Sequence, residues 1–415
     1  MRENAALEPD KTEMIDIAEA IRLVERETAA IGTESLALVD SVGRVLAEPI
    51  IADTDMPPFD RSQMDGFAVR SSDTSNPPCE LKIVGESVAG RGWHDRPLAA
   101  GEAVRIMTGA PLPTGADAVQ MLELASLKQD ASGELVTFLE AVKSGKHVIA
   151  KGAESTAHEQ IFPTGETITS QMIAAMAAFG YDRVTVGRKP RVAVLSTGSE
   201  IVPVGSTPGN DQIRNSNSPM LAVLACRAGG ETQEMPLVPD DLDSLKTSIA
   251  EAAYKNDILI ISGGVSVGKY DLTKDALRQI GAEIFFHRIR LKPGKPAVFA
   301  RLGSTIVFGL PGNPVSTAVT FHLFVRLALL RMQGASSPSL SRGFAIALKK
   351  FKGVADRDAF IPAAVSTDAN GRATATPLKW LGSSDFTGFA HADSLVFVPV
   401  GTTFEPGDVV QTHRL

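Results

Sequence analysis

Two glycine-rich turns, each directly after a short apolar run, are the residues of this chain whose types and spacing best fit a chemical role. Residues 262–268 (SGGVSVG) follow the run 257–261, and residues 310–314 (LPGNP) follow the run 305–309. A third run, residues 191–196, leads into the turn 197–200 (TGSE). Phosphate groups bind where a buried parallel strand ends in a tight turn before a helix, because backbone N–H groups converge there.

If the three strands are parallel, their turns lie at one edge of a sheet and predict a site for a phosphorylated small molecule. Asn313 has the type of a helix N-cap, and Pro314 that of a first helical residue. For any single turn, glycines that simply make a connection are an equally good interpretation; three turns together favour a ligand cleft. The residues predicted to bind the ligand are Thr197, Gly198, Ser199, Gly263, Gly264, Ser266, Gly268, Pro311, Gly312, Asn313 and Pro314.

The turn that begins at Gly263 nearly matches a nucleotide-binding P-loop. Gly263, Gly268 and Lys269 have the required spacing, but Tyr270 stands where a Ser or Thr should bind Mg²⁺. Because a phenol cannot replace that compact hydroxyl, nucleotide hydrolysis is the weaker alternative.

Three carboxylates follow predicted strands and could bind a cation: Glu200, Asp240 and Asp271. Oxygen ligands at one sheet edge suit Mg²⁺, which takes one or two carboxylates together with substrate oxygens. Helix capping is the alternative for each of them, above all for Asp271 and for the neighbouring Asp241, since both precede helical patterns.

Two basic residues, Lys292 and Lys295, flank a Pro-Gly turn and could neutralise a phosphate or an oxyanion. A solvated basic loop would have the same composition. A separate segment, residues 57–69 (PPFDRSQMDGFAV), sets polar residues among aromatic and apolar ones in a loop, which favours a functional role. A turn that is anchored by a buried Phe is the alternative for this segment.

Composition excludes several classes of function. The chain has 415 residues and a net charge of −7, from 41 basic and 48 acidic residues, which argues against a nucleic-acid-binding protein. No apolar stretch reaches membrane-spanning length, and the N-terminus lacks the apolar core of a secretion signal, so we expect a cytoplasmic protein. Neither the two cysteines nor the histidines have a zinc-ligand spacing, and no nucleophile elbow occurs, so covalent catalysis is disfavoured.

The periodicity of apolar residues changes several times along the chain. Residues 14–30 have the spacing of an amphipathic helix, and residues 51–150 read as short β-runs between Pro and Gly turns. A helix is predicted at residues 170–180. Residues 189–333 alternate strand and helix patterns, as in a βαβ sheet, and after a linker at 333–339 strand-like runs return up to residue 411.

Six segments, in order along the chain, resemble the molybdopterin molybdenumtransferase (MoeA) family, which includes the E domain of gephyrin. They are residues 58–66, 105–110, 196–200, 262–268, 292–296 and 310–314. The resemblance implies an α/β plus β multidomain fold: a central three-layer α/β molybdopterin-binding domain, an inserted small β domain and a C-terminal β-barrel-like domain. The implied domains are residues 1–50 together with 148–187, residues 51–147, residues 188–335 and residues 336–415.

The resemblance also implies the reaction, in which molybdenum from molybdate is inserted into adenylylated molybdopterin with the help of Mg²⁺ and AMP is released. By position, Asp60 and Thr108 would join Glu200, Asp240 and Asp271, the last three holding the metal. Lys292 and Lys295 match the basic pair of the family, whereas Arg357 and Ser383 match its C-terminal domain only loosely.

The implied assembly is a homodimer, with molybdopterin adenylyltransferase and maturation factors of molybdoenzymes as partners and with no nucleic acid or membrane. Two rival functions stay open. One is a molybdopterin adenylyltransferase, which would not need residues 59–69 or two β domains. The other is a non-enzymatic dimeric scaffold, which would tolerate loss of the acidic residues.

Overall fold

The fold is that of a computed structural model, which describes residues 14–131, 133–265, 272–379 and 381–415. Helices occur throughout this part of the chain. They are α1 (Ile17–Glu27), α2 (Ser170–Ala178), α3 (Asn217–Arg227), α4 (Leu242–Lys255), α5 (Leu272–Gln279), α6 (Pro314–Thr320), α7 (Arg326–Met332) and α8 (Phe386–Phe389). A π-helical turn, Phe321–Val325, joins α6 to α7. Short 3-10 helices lie at Leu38–Asp40, Ser71–Thr74 and Leu122–Leu124.

The strands are short and numerous. Up to residue 187 they are β1 (Thr33–Ala37), β2 (Ile50–Ile51), β3 (Arg61–Ser62), β4 (Gly66–Val69), β5 (Cys79–Ser87), β6 (Glu102–Ile106), β7 (Ala118–Met121), β8 (Ala125–Asp130), β9 (Gly133–Phe138), β10 (Val148–Ile149), β11 (Gln160–Phe162) and β12 (Arg183–Gly187). Next come β13 (Arg191–Ser196), β14 (Ile201–Val202), β15 (Ile213–Arg214), β16 (Glu231–Glu234), β17 (Ile258–Ser262), β18 (Glu283–Phe286), β19 (Leu291–Lys292), β20 (Val298–Leu302) and β21 (Thr305–Leu310). The last are β22 (Arg342–Ala347), β23 (Phe351–Lys352), β24 (Asp358–Thr367), β25 (Ala373–Pro377), β26 (Ser394–Val398), β27 (Thr403–Phe404) and β28 (Val409–Arg414).

The chain divides into two compact units. The large unit comprises the described residues up to Glu48, Thr164–Ile173 and Arg183–Leu415, and the small unit comprises Pro49–Pro163 and Ala174–Asp182. The finer division into four domains stays a prediction. The fold class expected from the sequence, mixed α/β with β domains, is confirmed.

A six-stranded sheet forms the centre of the large unit, in the order β16-β13-β17-β21-β20-β18. The first four strands are parallel, and β20 and β18 complete the sheet as antiparallel neighbours. The three apolar runs of the sequence are β13, β17 and β21, so their predicted parallel arrangement is confirmed. Ser196 lies opposite Ser262, and Ser262 opposite Leu310, so the three strands end at one edge.

Helices cover both faces of this sheet. Val192 and Val194 of β13 pack in a core with α1, α3, α6 and α7, whereas Ala193 and Leu195 pack on the other face with α4 and α5. Because successive side chains of a strand point to opposite faces, a sheet that is buried on both faces requires a continuous apolar run. This is why the runs in the sequence do not alternate.

Contrary to the expectation from the sequence, one helical segment is long and apolar enough to cross a membrane by length and composition alone. It runs from Pro314 to Met332 through α6, the π-turn and α7, and 78% of its most apolar stretch is buried inside the protein. Val315, Phe321 and Leu329 lie in the core against the central sheet. The segment is therefore the core helix of the large unit, which accounts for its composition.

The C-terminal part of the large unit contains a closed barrel. Its strands follow the order β24-β25-β22-β28-β26, and β26 pairs with β24 to close it. Strand β19 pairs in parallel with the first two residues of β24. The β domain that the sequence predicts beyond the linker is therefore present as a barrel.

The small unit is built on a six-stranded sheet in the order β7-β4-β6-β5-β9-β8. Phe67 and Val69 of β4 face one apolar cluster, and Ala68 faces another. This unit contains the short β-runs expected between residues 51 and 150. Helix α2, at the predicted position, is followed by Gly180 with φ +80°.

Candidate functional site

Three loops meet at the carboxyl edge of the parallel strands in the large unit. A Cβ built on Gly263 would lie 2.3 Å from the carbonyl oxygen of Thr197, and the nearest atom to one built on Gly312 is the Cα of Gly263, at 3.9 Å. Gly263 also has φ +97°. Only glycine meets both demands at 263, the left-handed backbone and the close approach. The loops predicted to bind the ligand therefore pack against one another.

Asn217, the first residue of α3, connects two of these loops. Its Nδ2 donates to Ser262 Oγ at 2.8 Å and to the carbonyl oxygen of Gly312 at 2.7 Å. The side chain is 7% exposed, and its Oδ1 has no hydrogen-bond partner within the described part of the chain. Sequence reasoning missed Asn217. A signal was available, since the polar run of residues 215–218 stands at the start of an otherwise largely apolar helix pattern.

Asp240 holds the first loop in place. Its carboxylate accepts hydrogen bonds from Thr197 Oγ1 at 2.7 Å, from the backbone N–H of Ser199 at 3.0 Å and from Ser199 Oγ at 3.4 Å. The bonds join residues more than forty positions apart. Two of the predicted ligand-binding residues are thus ordered by one of the predicted acidic residues.

Glu200 belongs to the same loop, and its carboxylate lies close to Gly198. Its Oε2 would lie 2.8 Å from a Cβ built on Gly198. Among the described residues no three His, Cys, Asp or Glu side chains are grouped as a metal-binding cluster. Two carboxylates at one loop nevertheless fit Mg²⁺, which needs only one or two of them beside substrate oxygens and water.

Ser266, Gly268 and Asp271 lie outside the described residues. The backbone N–H of Thr273, in the first turn of α5, donates to the carbonyl oxygen of Gly264 at 3.2 Å. Asp241 is the N-cap of α4, where it accepts from the backbone N–H of Ser244 at 2.8 Å. Hydrogen bonds from the side chain and then from the backbone of Ser244 lower the pKa of its carboxyl. The capping interpretation of Asp241 is confirmed.

The basic loop packs between α6 and the barrel. A Cβ on Gly294 would lie 2.6 Å from Thr320 Cγ2 at the end of α6. Strand β19 pairs with β24, which aligns Lys292 with Ala359, two residues after Arg357. Lys292 is exposed, and Arg357 Nε lies 3.5 Å from Asp356 Oδ1.

Ser383, from the C-terminal part of the chain, lies at the N-terminus of α6. Its carbonyl oxygen accepts from the backbone N–H of Val315 at 3.0 Å, and its Oγ accepts from Asn313 Nδ2 at 2.9 Å. Asn313 is the N-cap residue and Pro314 is the first helical residue, as predicted. The Asn313 side chain makes no capping bond; its Nδ2 instead donates to Ser383 Oγ.

Asp60 and Thr108 lie on two adjoining segments of the small unit. The backbone N–H of Leu112 donates to Asp60 O at 2.8 Å, and that of Gly109 donates to Ser62 O at 2.8 Å. Asp60 Oδ1 accepts from the backbone N–H of Lys151 at 2.8 Å. Asp60 and Thr108 are both exposed, so both side chains are available to a ligand.

Residues 57–69 contain both a buried aromatic anchor and an exposed surface. Phe67 is fully buried and packs edge-on against Phe138, so an aromatic residue does anchor the turn. Phe59 and Met64, in contrast, are 42% and 37% exposed beside Asp60. The exposed part of the segment presents polar and apolar groups together on one surface.

Three family models match consecutive parts of the chain. The N-terminal region of MoeA (domains I and II) matches residues 15–180, the probable molybdopterin-binding domain matches residues 193–331, and the C-terminal region of MoeA (domain IV) matches residues 345–415.

Similar proteins span nearly the whole chain. Proteins named molybdopterin molybdenumtransferase from Staphylococcus aureus (strain MSSA476) and Bacillus subtilis (strain 168) are each 34% identical over 97% of this chain, covering 96% and 94% of their own lengths. Two crystal structures of molybdopterin biosynthesis MoeA proteins from Pyrococcus horikoshii superpose with TM-scores of 0.78 and 0.83, at 32% and 29% identity. Both cover 97% of this chain, and 99% and 100% of their own chains.

Proposed function

The chain belongs to the molybdopterin molybdenumtransferase (MoeA) family of transferases in molybdenum cofactor biosynthesis, and we propose that it inserts molybdenum from molybdate into adenylylated molybdopterin and releases AMP. The observation that carries the proposal is the convergence of three loops at the edge of β13, β17 and β21. The close approach of Gly263 to Thr197 brings the loops together, as a site for one phosphate-bearing ligand requires.

Mg²⁺ is the proposed cofactor, with Glu200 and Asp240 as ligands and Asp271 as the third acidic residue of the set. The metal would supply positive charge at the phosphoanhydride of the substrate. The protein's own contribution is to hold the loop, since Asp240 fixes Thr197 and Ser199 by hydrogen bonds. Because water can attack the anhydride and the dithiolene sulfurs bind the molybdenum, no protein nucleophile is required.

The cationic residues recruit the anionic reactants. Lys292 and Lys295 carry charge on a loop that packs against α6, and Arg357 lies two positions before the β24 residue that pairs with Lys292. The chain is acidic overall, with a net charge of −7, so molybdate requires a local concentration of positive charge. Ser383 adds a hydroxyl at the N-terminus of α6, next to the loop that contains Gly312 and Asn313.

We further propose that the protein acts as a homodimer in the cytoplasm, that Asp60 and Thr108 contribute to substrate binding, and that a molybdopterin adenylyltransferase delivers the substrate. Molybdoenzyme maturation factors would accept the product. Analytical ultracentrifugation tests the dimer directly: a single species at twice the 43.9 kDa chain mass is expected, and a monomer would contradict it.

The reaction is tested by incubating the protein with adenylylated molybdopterin, molybdate and Mg²⁺ and measuring AMP and the molybdenum-containing cofactor by mass spectrometry. Both products are expected in equal amounts. Consumption of ATP with unadenylylated molybdopterin would instead indicate the adenylyltransferase, and absence of any turnover would indicate the scaffold.

A matched pair of variants separates a role in the site from a general charge effect. Asp240→Asn weakens the bonds to the first loop, whereas Asp243→Asn changes an exposed carboxylate on the first turn of α4 whose described partner is Lys246. Only the first variant should lower AMP release.

A further inference from the structure

Thr108 in the small unit is held by a carboxylate that the sequence patterns did not single out. Asp65 Oδ1 accepts two hydrogen bonds from Thr108, one from its backbone N–H at 2.7 Å and one from its Oγ1 at 2.8 Å. The two residues are 43 positions apart and belong to different loops. A pair of bonds to one oxygen fixes both the backbone and the side-chain torsion of Thr108.

Both loops are themselves well anchored. Ser62 is 1% exposed, and its Oγ donates to Met64 O at 2.6 Å, which shapes the turn before Asp65. The backbone N–H of Leu122 donates to Asp65 O at 3.0 Å, and that of Gly109 donates to Ser62 O at 2.8 Å. The position of the Asp65 carboxylate therefore follows from the buried framework rather than from a free surface side chain.

In this pair, Thr108 is the hydrogen-bond donor and Asp65 is the acceptor. The two bonds from Thr108 hold the pKa of the Asp65 carboxyl below its usual range, so the group is ionised at neutral pH. An ionised carboxylate can only accept, and the hydroxyl of Thr108 must therefore be the donor. Its single proton points at Asp65, and the lone pairs of Oγ1 are left to face outward.

We propose that Asp65 is a positioning residue that makes the Thr108 hydroxyl an acceptor toward the ligand. The group that Thr108 binds is then electropositive, either an N–H or O–H donor of the substrate or a cation, and not an oxygen of phosphate or molybdate. The inference rests on the proposed function, because it assigns the part of the reactants that the small unit recognises.

The test compares kcat, KM and the Mg²⁺ concentration for half-maximal AMP release in variants of the full-length protein. Asp65→Ala frees the hydroxyl to rotate, and Thr108→Val removes it. Each should lower kcat/KM by roughly tenfold or more, as expected for a lost charge-assisted bond, and the double variant should be no worse than Thr108→Val alone. Asp65→Asn keeps an acceptor oxygen and should restore most of the activity.

Two measured parameters, the KM for adenylylated molybdopterin and the Mg²⁺ requirement, distinguish a substrate donor from a cation. If Thr108 accepts from the substrate, KM for adenylylated molybdopterin rises in Asp65→Ala while the Mg²⁺ requirement is unchanged. If Thr108 faces a cation, the Mg²⁺ requirement rises instead. Glu140→Gln, which changes an exposed carboxylate of the same unit, is the control and should leave both values unchanged.

Two results would overturn the inference. Unchanged or higher activity in Asp65→Ala would mean that the hydroxyl serves better as a free donor, and additive losses in the double variant would mean that Asp65 does not act through Thr108. A second measurement is independent of turnover: the amide resonance of Thr108 in protein labelled with ¹⁵N-threonine should shift strongly in Asp65→Ala but little in Asp65→Asn. If the wild-type protein releases no AMP, the proposed function fails, and an unmoved resonance then refutes the pairing itself.

Discussion

Thr197 Oγ1 donates a 2.7 Å hydrogen bond to Asp240 Oδ1, so the loop after β13 is tied to the segment that precedes α4. The same carboxylate also accepts from the backbone N–H of Ser199. Asp240, at the carboxyl edge of the sheet, thus orders this loop. This role is additional to the metal binding that we propose for it.

Removal of this carboxylate should disorder the loop and weaken binding of the adenylylated substrate. For Asp240→Ala we expect AMP release to fall by about 10- to 100-fold, since several hydrogen bonds to a charged group are lost. Steady-state assays over a range of Mg²⁺ concentrations measure the effect. If Asp240→Ala turns over as fast as Asp243→Asn, the exposed control, Asp240 is not part of the site.

The basic loop should control the dependence on molybdate. Lys292→Ala and Lys295→Ala are each expected to raise the molybdate concentration for half-maximal insertion, because each removes a positive charge from an acidic protein. Lys349→Ala, at an exposed position, is the control. The idea is wrong if the molybdate dependence of both site variants matches that of the control.

The close approach of Gly263 to Thr197 predicts a large effect of adding one methyl group. Gly263→Ala combines a positive φ with a contact of 2.3 Å to a backbone oxygen, whereas Gly281, with φ +81°, has no atom within 4 Å of its built Cβ. Gly281→Ala should cost only the backbone strain of about 1 kcal/mol, and Gly263→Ala should cost roughly 1 to 3 kcal/mol more. Urea denaturation of both variants measures the difference, and equal midpoints would contradict the predicted clash.

We expect His322 to make the free energy of unfolding depend on pH. Burial, helped by Arg326 and Arg227, lowers the pKa of His322 from 6.5 to about 4. Between those values the unfolded chain binds a proton that the folded protein does not, so stability falls as pH drops from 6.5 towards 4, by about 3 kcal/mol for this residue.

The measurement is the free energy of unfolding as a function of pH. His322→Leu should flatten the profile between pH 6.5 and 4, while a second buried histidine, His413, whose pKa is also lowered to about 4 by burial and Arg342, maintains part of the slope. His391→Gln, at an exposed position, is the control. A slope that is unchanged in His322→Leu would show that His322 titrates normally in the folded protein.

Local patterns were sufficient for the strands and loops of the large unit. Residues 258–261 are apolar without alternation because both faces of β17 are covered, and this property is visible in a short stretch of chain. The same holds for the N-cap position of Asn313 and for the capping role of Asp241, since both depend only on the next few residues.

The contacts that organise the site were decided only by the tertiary structure. Asn217 bonds to Gly312 across 95 positions, Asn313 to Ser383 across 70, and Thr108 to Asp65 across 43. Such polar pairs leave no periodic trace in the sequence, because a single hydrogen bond requires only one donor and one acceptor, and these residue types are common in every loop. Their partners are selected by where the sheets and the barrel bring distant loops together.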